Sequence, residues 1–417
     1  MSSREFKIPV NALQVGQSIR LPLAWKEHPF MFNRFRIKDE GQILLIRKLG
    51  LSHVFLQLAE GEQAPVLEQA ETPTSPSLPQ GKPDRQVIRA HQAERDAMVE
   101  ESRIYRRLLK KCEQAYGQSI DTVRSSFNRI ATSPEQAYAD SCAVVEEILT
   151  QFEHAGSDTV LQLVAANQEG SMQCHAINVA VVALVLGRAL GLEGPQLREL
   201  GLAALVHDVG KLRIPSSILN KRSPLNKAEQ NYLRQHPKLA LEMLRGTPFS
   251  TKSITTMVVG HHEYLDGSGY PQKLSGNAIS PMTQILTIAN EYDSLVNGNT
   301  KTLPPYQALA YMFKCRSKQL NSMYLQTLVK TLGVYPPGTL VRLENGQVGK
   351  VLSSDASQPL FPTLILYDAE IPKIEAPMVS LEMLGLKVEA VLRISELSEA
   401  QCHYLDASPA LAYYVRR

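Results

Sequence analysis

The spacing of hydrophobic and polar residues changes three times along the chain. Up to about residue 62, short apolar runs such as SIRLPLAW and HVFLQL indicate strands, while EGQILLIRKLG has helical spacing and ends at a glycine. After a proline-rich stretch, helical spacing continues to about residue 333. Beyond it, two β-like runs flank Asn345 and Gly346, a strong hairpin signal, and FPTLILYD indicates another strand.

These changes predict a multidomain chain. A central all-α helical bundle follows a small α+β N-terminal domain and precedes a small β-rich C-terminal segment. The boundary is clearest where prolines are interspersed with Thr, Ser and Gln, a composition that favours an extended linker over a core. The predicted segments are an N-terminal domain (1–62), a linker (63–85), a helical connector (86–155), the central domain (156–333) and the C-terminal segment (334–417).

Composition and charge limit the partners and the cellular compartment that we expect for the protein. The chain is 44% hydrophobic and 20% charged, as in ordinary soluble proteins, and its net charge of +3 is too small to predict a nucleic-acid polymer as partner. Five scattered cysteines fit a reducing cytoplasm. The start, MSSREFKIPV, lacks the apolar core of a signal peptide, and the apolar run 179–192 is too short to span a bilayer. We therefore expect a cytoplasmic protein without membrane insertion.

The helical block contains an unusual set of histidines. Each lies on or at the end of an apolar helical stretch, and one is followed by an aspartate: His175, His207 with Asp208, His236, His261 and His262. Any one of them alone would be explained as a hydrogen-bonded core histidine. A core gains nothing from so many basic groups, whereas imidazoles that converge with a carboxylate bind Fe, Mn or Zn, and helical bundles build such sites. Lys211 follows Asp208 at i+3, on the same helical face, where an ammonium suits an anionic substrate.

A loop with restricted backbone follows the tandem histidines. In EYLDGSGYPQKLSG, Gly267 and Gly269 permit conformations that other residues avoid, and Pro271 stiffens the chain beside them. The loop can bring Tyr270 near a bound ligand. A tight turn between helices is the alternative.

The pattern H…HDVGK…H…HHEYLDGSGYP resembles the HD-GYP domain of the HD phosphohydrolase superfamily, over roughly residues 158–333. Upstream, AWKEHPFMFNRF resembles a small domain often found ahead of HD-GYP domains, and its aromatic residues are expected to form that domain's core. The resemblance implies two or three metal ions, commonly iron or manganese, and hydrolysis of cyclic di-GMP to pGpG or GMP.

Carried over by position, the resemblance also implies roles for individual residues. The metal ligands would be His175, His207, Asp208, His236, His261 and His262. As the catalytic residues, Asp208 would bridge two ions and Lys211 would contact the scissile phosphate. The residues that border the substrate pocket would be Lys211, Asp266, Gly267, Gly269, Tyr270 and Pro271.

Three positions depart from the family pattern. Asn290 stands where the family has a further Asp ligand, so a neutral amide replaces a carboxylate, while Asp293 nearby is expected to be structural. Ser171 stands where members with three metals carry a Glu, so we expect two divalent ions, Fe or Mn. The run VNGNTKTLP replaces a basic Arg-Pro-Tyr-Lys run, which leaves only Lys301 as a substitute.

These observations predict a metal-dependent cyclic di-GMP phosphodiesterase in bacterial second-messenger signalling. A receptor or scaffold that binds the dinucleotide with little turnover is the competing hypothesis, and Asn290 and the missing basic run favour it. Hydrolysis of another nucleotide is a third possibility, against which the GYP loop argues. The charged helical stretch 89–117 is either a connecting helix or the interface of a homodimer. A signalling protein is a further candidate partner.

Overall fold

A computed structural model describes most of the chain: residues 4–58, 85–154, 161–164, 171–221, 223–298, 302–354, 358–407 and 412–415. The predicted linker, residues 63–85, lies outside the described residues except for Arg85, and Lys301 lies outside them as well. The remaining predicted site residues are all described.

The N-terminal unit is a four-stranded antiparallel sheet with one helix, as the alternating pattern predicted. Its elements are β1 (Arg4–Pro9), β2 (Ser18–Arg20), β3 (Arg34–Arg36), α1 (Glu40–Lys48) and β4 (His53–Leu58). The strands lie in the order β1-β4-β2-β3. Asp39 caps α1 by accepting a hydrogen bond from the Gln42 amide, and alternate strand residues such as Ile8, Ile19 and Leu56 form the core with the buried face of α1.

The central part of the chain is predominantly helical. Its helices are α2 (Arg85–Arg129), α3 (Pro134–His154), α4 (Met172–Ala189), α5 (Gly194–Val206), α6 (Ser216–Leu219), α7 (Lys227–Leu233), α8 (His236–Leu244), α9 (Lys252–Gly260), α10 (Pro281–Asn297), α11 (Pro305–Cys315) and α12 (Ser322–Leu332). A short 3₁₀ helix, Val209–Arg213, follows α5. α4 packs against α5, α10 and α12, and α9 packs against α5 and α8. This packing brings the ends of several apolar helices to one place.

The C-terminal unit is a mostly β structure that also recruits a strand from the central part. It contains β6 (Leu340–Leu343), β7 (Val348–Ser354), β8 (Thr363–Leu366), β9 (Met378–Ser380), α13 (Leu381–Leu384), β10 (Val388–Leu392), α14 (Glu399–Leu405) and β11 (Ala412–Val415). The hairpin predicted at Asn345 and Gly346 joins β6 to β7, and Gly346 has the positive φ that this turn requires.

The expectation of an all-α central domain is wrong in one detail. Strand β5 (Leu161–Val164) lies within the predicted central domain and pairs with β7 and β11 of the C-terminal sheet. Periodicity could not reveal it, because four residues are too few to separate a strand from a piece of helix.

The aromatic segment near the N-terminus packs differently from our expectation. Trp25 and Phe32 are buried in a cluster with Val341, Leu364 and other residues of the C-terminal sheet, not in the N-terminal core. Only Phe30 of that segment joins the N-terminal core, with Phe35 packed against it. The guanidinium of Arg95, on α2, lies over the Trp25 ring and donates to the backbone carbonyls of Trp25 and His28. The aromatic residues thus tie three parts of the chain together.

The helix that carries His236 begins at that residue. A capping box lies upstream of it, in which Asn226 accepts from the Glu229 amide and the Glu229 carboxylate accepts from the Asn226 amide. It caps α7, however, which ends before His236. A new helix, α8, begins at His236 with Pro237 in its first turn, so this proline starts a helix and does not bend one.

Among the described helices, α4 is long and apolar enough to cross a membrane by those two criteria. In the structure, 72% of that stretch is buried against other parts of the protein. Its apolar character is that of a core helix, because its buried residues belong to the core of the helical part.

Gly210 allows the segment after Asp208 to pack tightly on α8. A Cβ at this position would lie 2.0 Å from the His236 carbonyl oxygen and 2.5 Å from the Ala240 nitrogen. Real side-chain carbons do not approach backbone atoms so closely, so any larger residue would separate the turn containing Asp208 from the helix that carries His236.

We therefore expect Gly210→Ala to destabilise the protein by about 1–3 kcal/mol, the usual cost of overpacking. Urea unfolding followed by circular dichroism measures this. Gly117→Ala is the matched control, because a Cβ at Gly117 on α2 meets nothing within 4 Å and alanine is the better helix former by about 0.5–1 kcal/mol. Equal unfolding midpoints for the two variants would contradict the packing argument.

Candidate metal centre

The predicted ligands come together from the ends of four helices. His175 lies in the first turn of α4, and His207 caps the end of α5, with Asp208 following it. His236 is the first residue of α8, and His261 caps the end of α9. Two groups of ligand atoms form, each within 4.8 Å: one of His175, His207 and Asp208, the other of His236, His261 and His262.

Three of these imidazoles are held by backbone carbonyls on their Nδ1 atoms. His207 Nδ1 lies 2.7 Å from the Ala204 oxygen, His236 Nδ1 2.8 Å from the Leu233 oxygen, and His261 Nδ1 2.7 Å from the Val258 oxygen. A carbonyl only accepts, so in each case Nδ1 carries the proton and donates. In the neutral ring, Nε2 then presents a lone pair to the centre of the site.

A carboxylate positions the fourth imidazole in the same way. Asp293 Oδ2 lies 2.6 Å from His175 Nδ1, and Asp293 Oδ1 accepts from the side-chain amides of Asn178 and Asn297 at 2.9 and 2.8 Å. Tyr116 in turn donates to Asn178. The expected structural role of Asp293 is thus specific: it directs the Nε2 lone pair of His175 into the site, as carboxylates do for metal-binding histidines.

The Nε2 atoms face one another across the Asp208 carboxylate. The distance from His175 Nε2 to His207 Nε2 is 3.3 Å, and that from His236 Nε2 to His261 Nε2 is 3.1 Å. Asp208 Oδ2 lies 3.4 Å from each imidazole of the first pair, whereas Oδ1 lies 3.2 and 3.8 Å from those of the second. Each oxygen of one carboxylate therefore faces its own pair of nitrogens.

This arrangement leaves buried acceptors without donors. Asp208 Oδ1 is buried and has no hydrogen-bond partner among the described residues. Two acceptor nitrogens at about 3 Å repel each other unless a proton or a metal cation lies between them. Burial lowers the pKa of His207, and burial together with neighbouring imidazoles lowers the pKa of His261 and His262 well below the ordinary value. Protonation of His207, His261 and His262 at neutral pH is disfavoured, so the donor set fits divalent metal cations.

Lys211 lies beside the bridging position. Its Nζ is 2.5 Å from Asp208 Oδ2, and its side chain remains 29% exposed. Burial alone would raise the pKa of Asp208, but the charge of the Lys211 ammonium opposes burial, and that pKa lies well below its ordinary value. Asp208 is therefore ionised, and an ammonium is available at the edge of the site.

Asn290 is buried on α10, one turn before Asp293 and on the same helical face. Its Oδ1 accepts a long hydrogen bond of 3.5 Å from Ser294 Oγ. The interpretation of Asn290 as a weak ligand stays a prediction, as do the roles of the other site residues.

A residue missed by the sequence analysis anchors the loop after His262. Glu263 is buried, and its carboxylate accepts from the backbone amides of Gln272, Lys273 and Leu274 at 2.6, 3.1 and 3.0 Å. Ionised acceptors make the stronger hydrogen bonds. The available signal was the position of an acidic residue directly after the tandem histidines.

The loop needs glycine at positions 267 and 269 for two different reasons. Gly267 has φ +77°, which favours glycine. A Cβ at Gly269 would lie 2.5 Å from both the Glu263 Cα and the His262 oxygen, so that position needs glycine for close approach. Pro271 follows Tyr270 through a cis peptide bond.

The loop places Tyr270 against the histidine cluster. Its ring stacks on His262 with centroids 4.6 Å apart, and the Arg234 guanidinium lies 5.3 Å from its centroid on the exposed side. Burial first, and the Asp208 charge second, raise the pKa of Tyr270, so the phenol stays protonated. Asp266 is exposed, and its carboxylate accepts from the Ser268 amide and hydroxyl. In this structure it therefore shapes the turn.

Comparison with known protein families identifies two matches in this chain. Residues 157–321 match the family model described as an HD domain, which confirms the recognition of an HD-type domain in the helical part of the chain. Residues 5–140 match a second model, described as a domain of unknown function (DUF3391). The predicted domain boundaries themselves stay predictions.

Two curated relatives and one solved structure are similar to this chain over different lengths. A cyclic di-GMP phosphodiesterase of Pseudomonas aeruginosa is 27% identical over 89% of this chain and 87% of its own length. A 3'3'-cGAMP-specific phosphodiesterase of Vibrio cholerae is 33% identical over 39% of this chain and 35% of its own length. A solved structure described as an HD-GYP-type protein of Bdellovibrio bacteriovorus is 15% identical with a TM-score of 0.44, covering 78% of this chain and 98% of its own.

The position of His175 depends on Asp293, which gives a test of the site independent of turnover. We expect Asp293→Asn to weaken Mn(II) binding about 10–100-fold, since that is the usual effect of removing an outer-shell carboxylate. Electron paramagnetic resonance of free Mn(II) during titration measures the affinity. Asp121→Asn, a change at a 72% exposed carboxylate on α2, is the control and should leave it unchanged. Unaltered affinity in Asp293→Asn would contradict the assignment of His175 as a ligand.

Proposed function

We propose that the chain is a metal-dependent phosphodiesterase that hydrolyses cyclic di-GMP to pGpG, GMP or both. The observation that carries the proposal is the Asp208 carboxylate, buried with an oxygen facing each of two imidazole pairs and with Lys211 beside it. A relative that matches most of this chain is named for the same activity. The coarser conclusion, a hydrolase of the HD family, rests on these two findings and the HD-domain match.

The donor set supports two divalent ions, and we propose iron or manganese. His175 and His207 would hold one ion, His236, His261 and His262 the other, and Asp208 would bridge them. Bound there, such ions supply Lewis-acid activation of a phosphodiester and of the attacking water.

The other residues have binding and positioning roles in this proposal. Lys211 pairs with Asp208 and, because it is partly exposed, is placed to neutralise charge that develops on the phosphoryl oxygens. Tyr270 offers an aromatic surface next to His262 for the nucleotide, and Glu263 keeps the loop rigid by holding three amides. We propose Gly267, Gly269 and Pro271 as backbone determinants of the same pocket wall, with Asp266 supporting its turn.

The substrate class and the setting also belong to the proposal. A cyclic dinucleotide is favoured over other nucleotides, because the relatives are named for cyclic di-GMP or 3'3'-cGAMP. We propose the cytoplasm, where cyclic dinucleotides act as second messengers, as the location. A homodimer or a signalling-protein partner stays a prediction.

A cyclic di-GMP receptor with little turnover is the second candidate. The specific observation in its favour is Asn290, a buried neutral amide in place of an acidic ligand. An amide binds divalent cations less strongly than a carboxylate, so the ions would be held by fewer charges.

Protein loaded anaerobically with Fe(II) or Mn(II) is expected to convert cyclic di-GMP to pGpG or GMP, measured by chromatography of the products. Asp208→Ala should lower the rate more than about 100-fold, because loss of an outer partner alone costs 10–100-fold. Asp121→Ala should leave the rate unchanged. A parallel assay with 3'3'-cGAMP compares the two dinucleotides directly.

If the metal-loaded wild-type protein binds cyclic di-GMP without hydrolysing it, the phosphodiesterase hypothesis is refuted and the receptor hypothesis stands. Asn290→Asp, assayed alongside, should raise the rate if the missing carboxylate limits the natural protein. An unchanged rate in this variant would show that Asn290 does not limit turnover.

A further inference from the structure

A cavity of about 440 Å³ lies between the helical part of the chain and the C-terminal sheet. Its size is that of a small-molecule site, since such pockets measure about 300–1,000 Å³. The wall is largely apolar and includes Val296, Leu303, Leu340, Leu392 and Ile394. None of the predicted metal ligands lines this cavity, so it is separate from the candidate metal centre.

A buried ammonium faces this cavity. Lys350, on β7, is only 8% exposed, and its Nζ donates to the backbone oxygen of Asp406 at 3.1 Å. The Asp406 carboxylate is occupied elsewhere, because its Oδ1 lies 2.5 Å from Lys373 Nζ. Within the described parts of the chain, Lys350 therefore has a neutral acceptor but no carboxylate within 4 Å.

Such an environment is costly for a charged amine. Burial lowers the pKa of Lys350 to about 8, which leaves the ammonium form dominant at neutral pH. Buried charges are ordinarily paired, and a lone carbonyl satisfies one of three donors on the ammonium. The remaining donors call for an anionic partner.

A second cation belongs to the lining of the cavity. Arg393 lines it with an exposed side chain, and no described carboxylate lies within 4 Å of its guanidinium. Thr302 and Ser395, which carry hydroxyl groups, also line the cavity. The cavity lining therefore combines two cationic side chains and two hydroxyl-bearing residues with apolar residues.

We propose that this cavity binds a small organic anion, whose acidic group pairs with Lys350 and Arg393 and whose apolar body lies against Leu340, Leu392 and Ile394. A carboxylate and a phosphate monoester share the required chemistry. The assignment does not depend on the proposed phosphodiesterase activity.

Isothermal titration calorimetry of the full chain with octanoate, octyl phosphate and octanol tests the proposal. At least one anion should bind saturably at one site per chain, and octanol should bind about tenfold more weakly or worse, because it lacks the charge. Tighter binding of octanoate identifies a carboxylate ligand, and tighter binding of octyl phosphate identifies a phosphate monoester. Absence of saturable binding by both anions would overturn the proposal.

Variants locate the binding. Lys350→Met keeps the length of the side chain and should weaken anion binding about tenfold or more, whereas Lys387→Met, an exposed lysine of the same unit, should not change it. Arg393→Gln changes only an exposed side chain, so it should fold normally and weaken binding several-fold. Wild-type affinity in both Lys350→Met and Arg393→Gln would place the anion elsewhere and refute the site.

Discussion

The candidate site depends on one electrostatic constraint, the burial of the Asp208 carboxylate among imidazole nitrogens that present lone pairs. Backbone carbonyls accept from Nδ1 of His207, His236 and His261, so in the neutral form of each ring Nε2 has no proton to donate to Asp208. One carboxylate and four close acceptor nitrogens form a cluster that is unfavourable in the absence of cations. The surrounding fold must therefore hold these groups in place against their mutual repulsion.

The fold meets that demand by placing each ligand at a helix end that is itself fixed by packing. Apolar helices α4, α5 and α9 belong to one core, so the ends that carry His175, His207 and His261 cannot separate without exposing it. Gly210 lets the Asp208 turn approach α8, and Glu263 ties the loop after His262 back to the same end of α9. Tight packing around the site therefore holds the mutually repelling ligand atoms in positions where they can bind cations.

Sequence patterns could predict which histidines the fold brings together, since histidines on apolar helices are conspicuous and a tandem motif is easily recognised. They could not predict contacts between residues far apart in the chain. The link from Asp293 to His175 spans 118 positions, and strand β5 acquires its conformation only by pairing with β7 and β11. Trp25 was assigned to the nearest core, whereas the structure buries it against a sheet more than 300 residues away in sequence. Local pattern reveals which groups are unusual, and tertiary packing decides their partners.

The charges of the described site bear on the choice between enzyme and receptor. Asp208 and Asp293 contribute one negative charge each, Lys211 one positive charge, and Asn290 none. Two divalent cations would make such a site strongly positive, which favours binding of a phosphodiester dianion. The same excess would hold an anionic product firmly and retain the ions less well than a site with an aspartate at position 290. Under the proposed function, the neutral amide would favour binding over release, and it would affect turnover more than recognition of the dinucleotide.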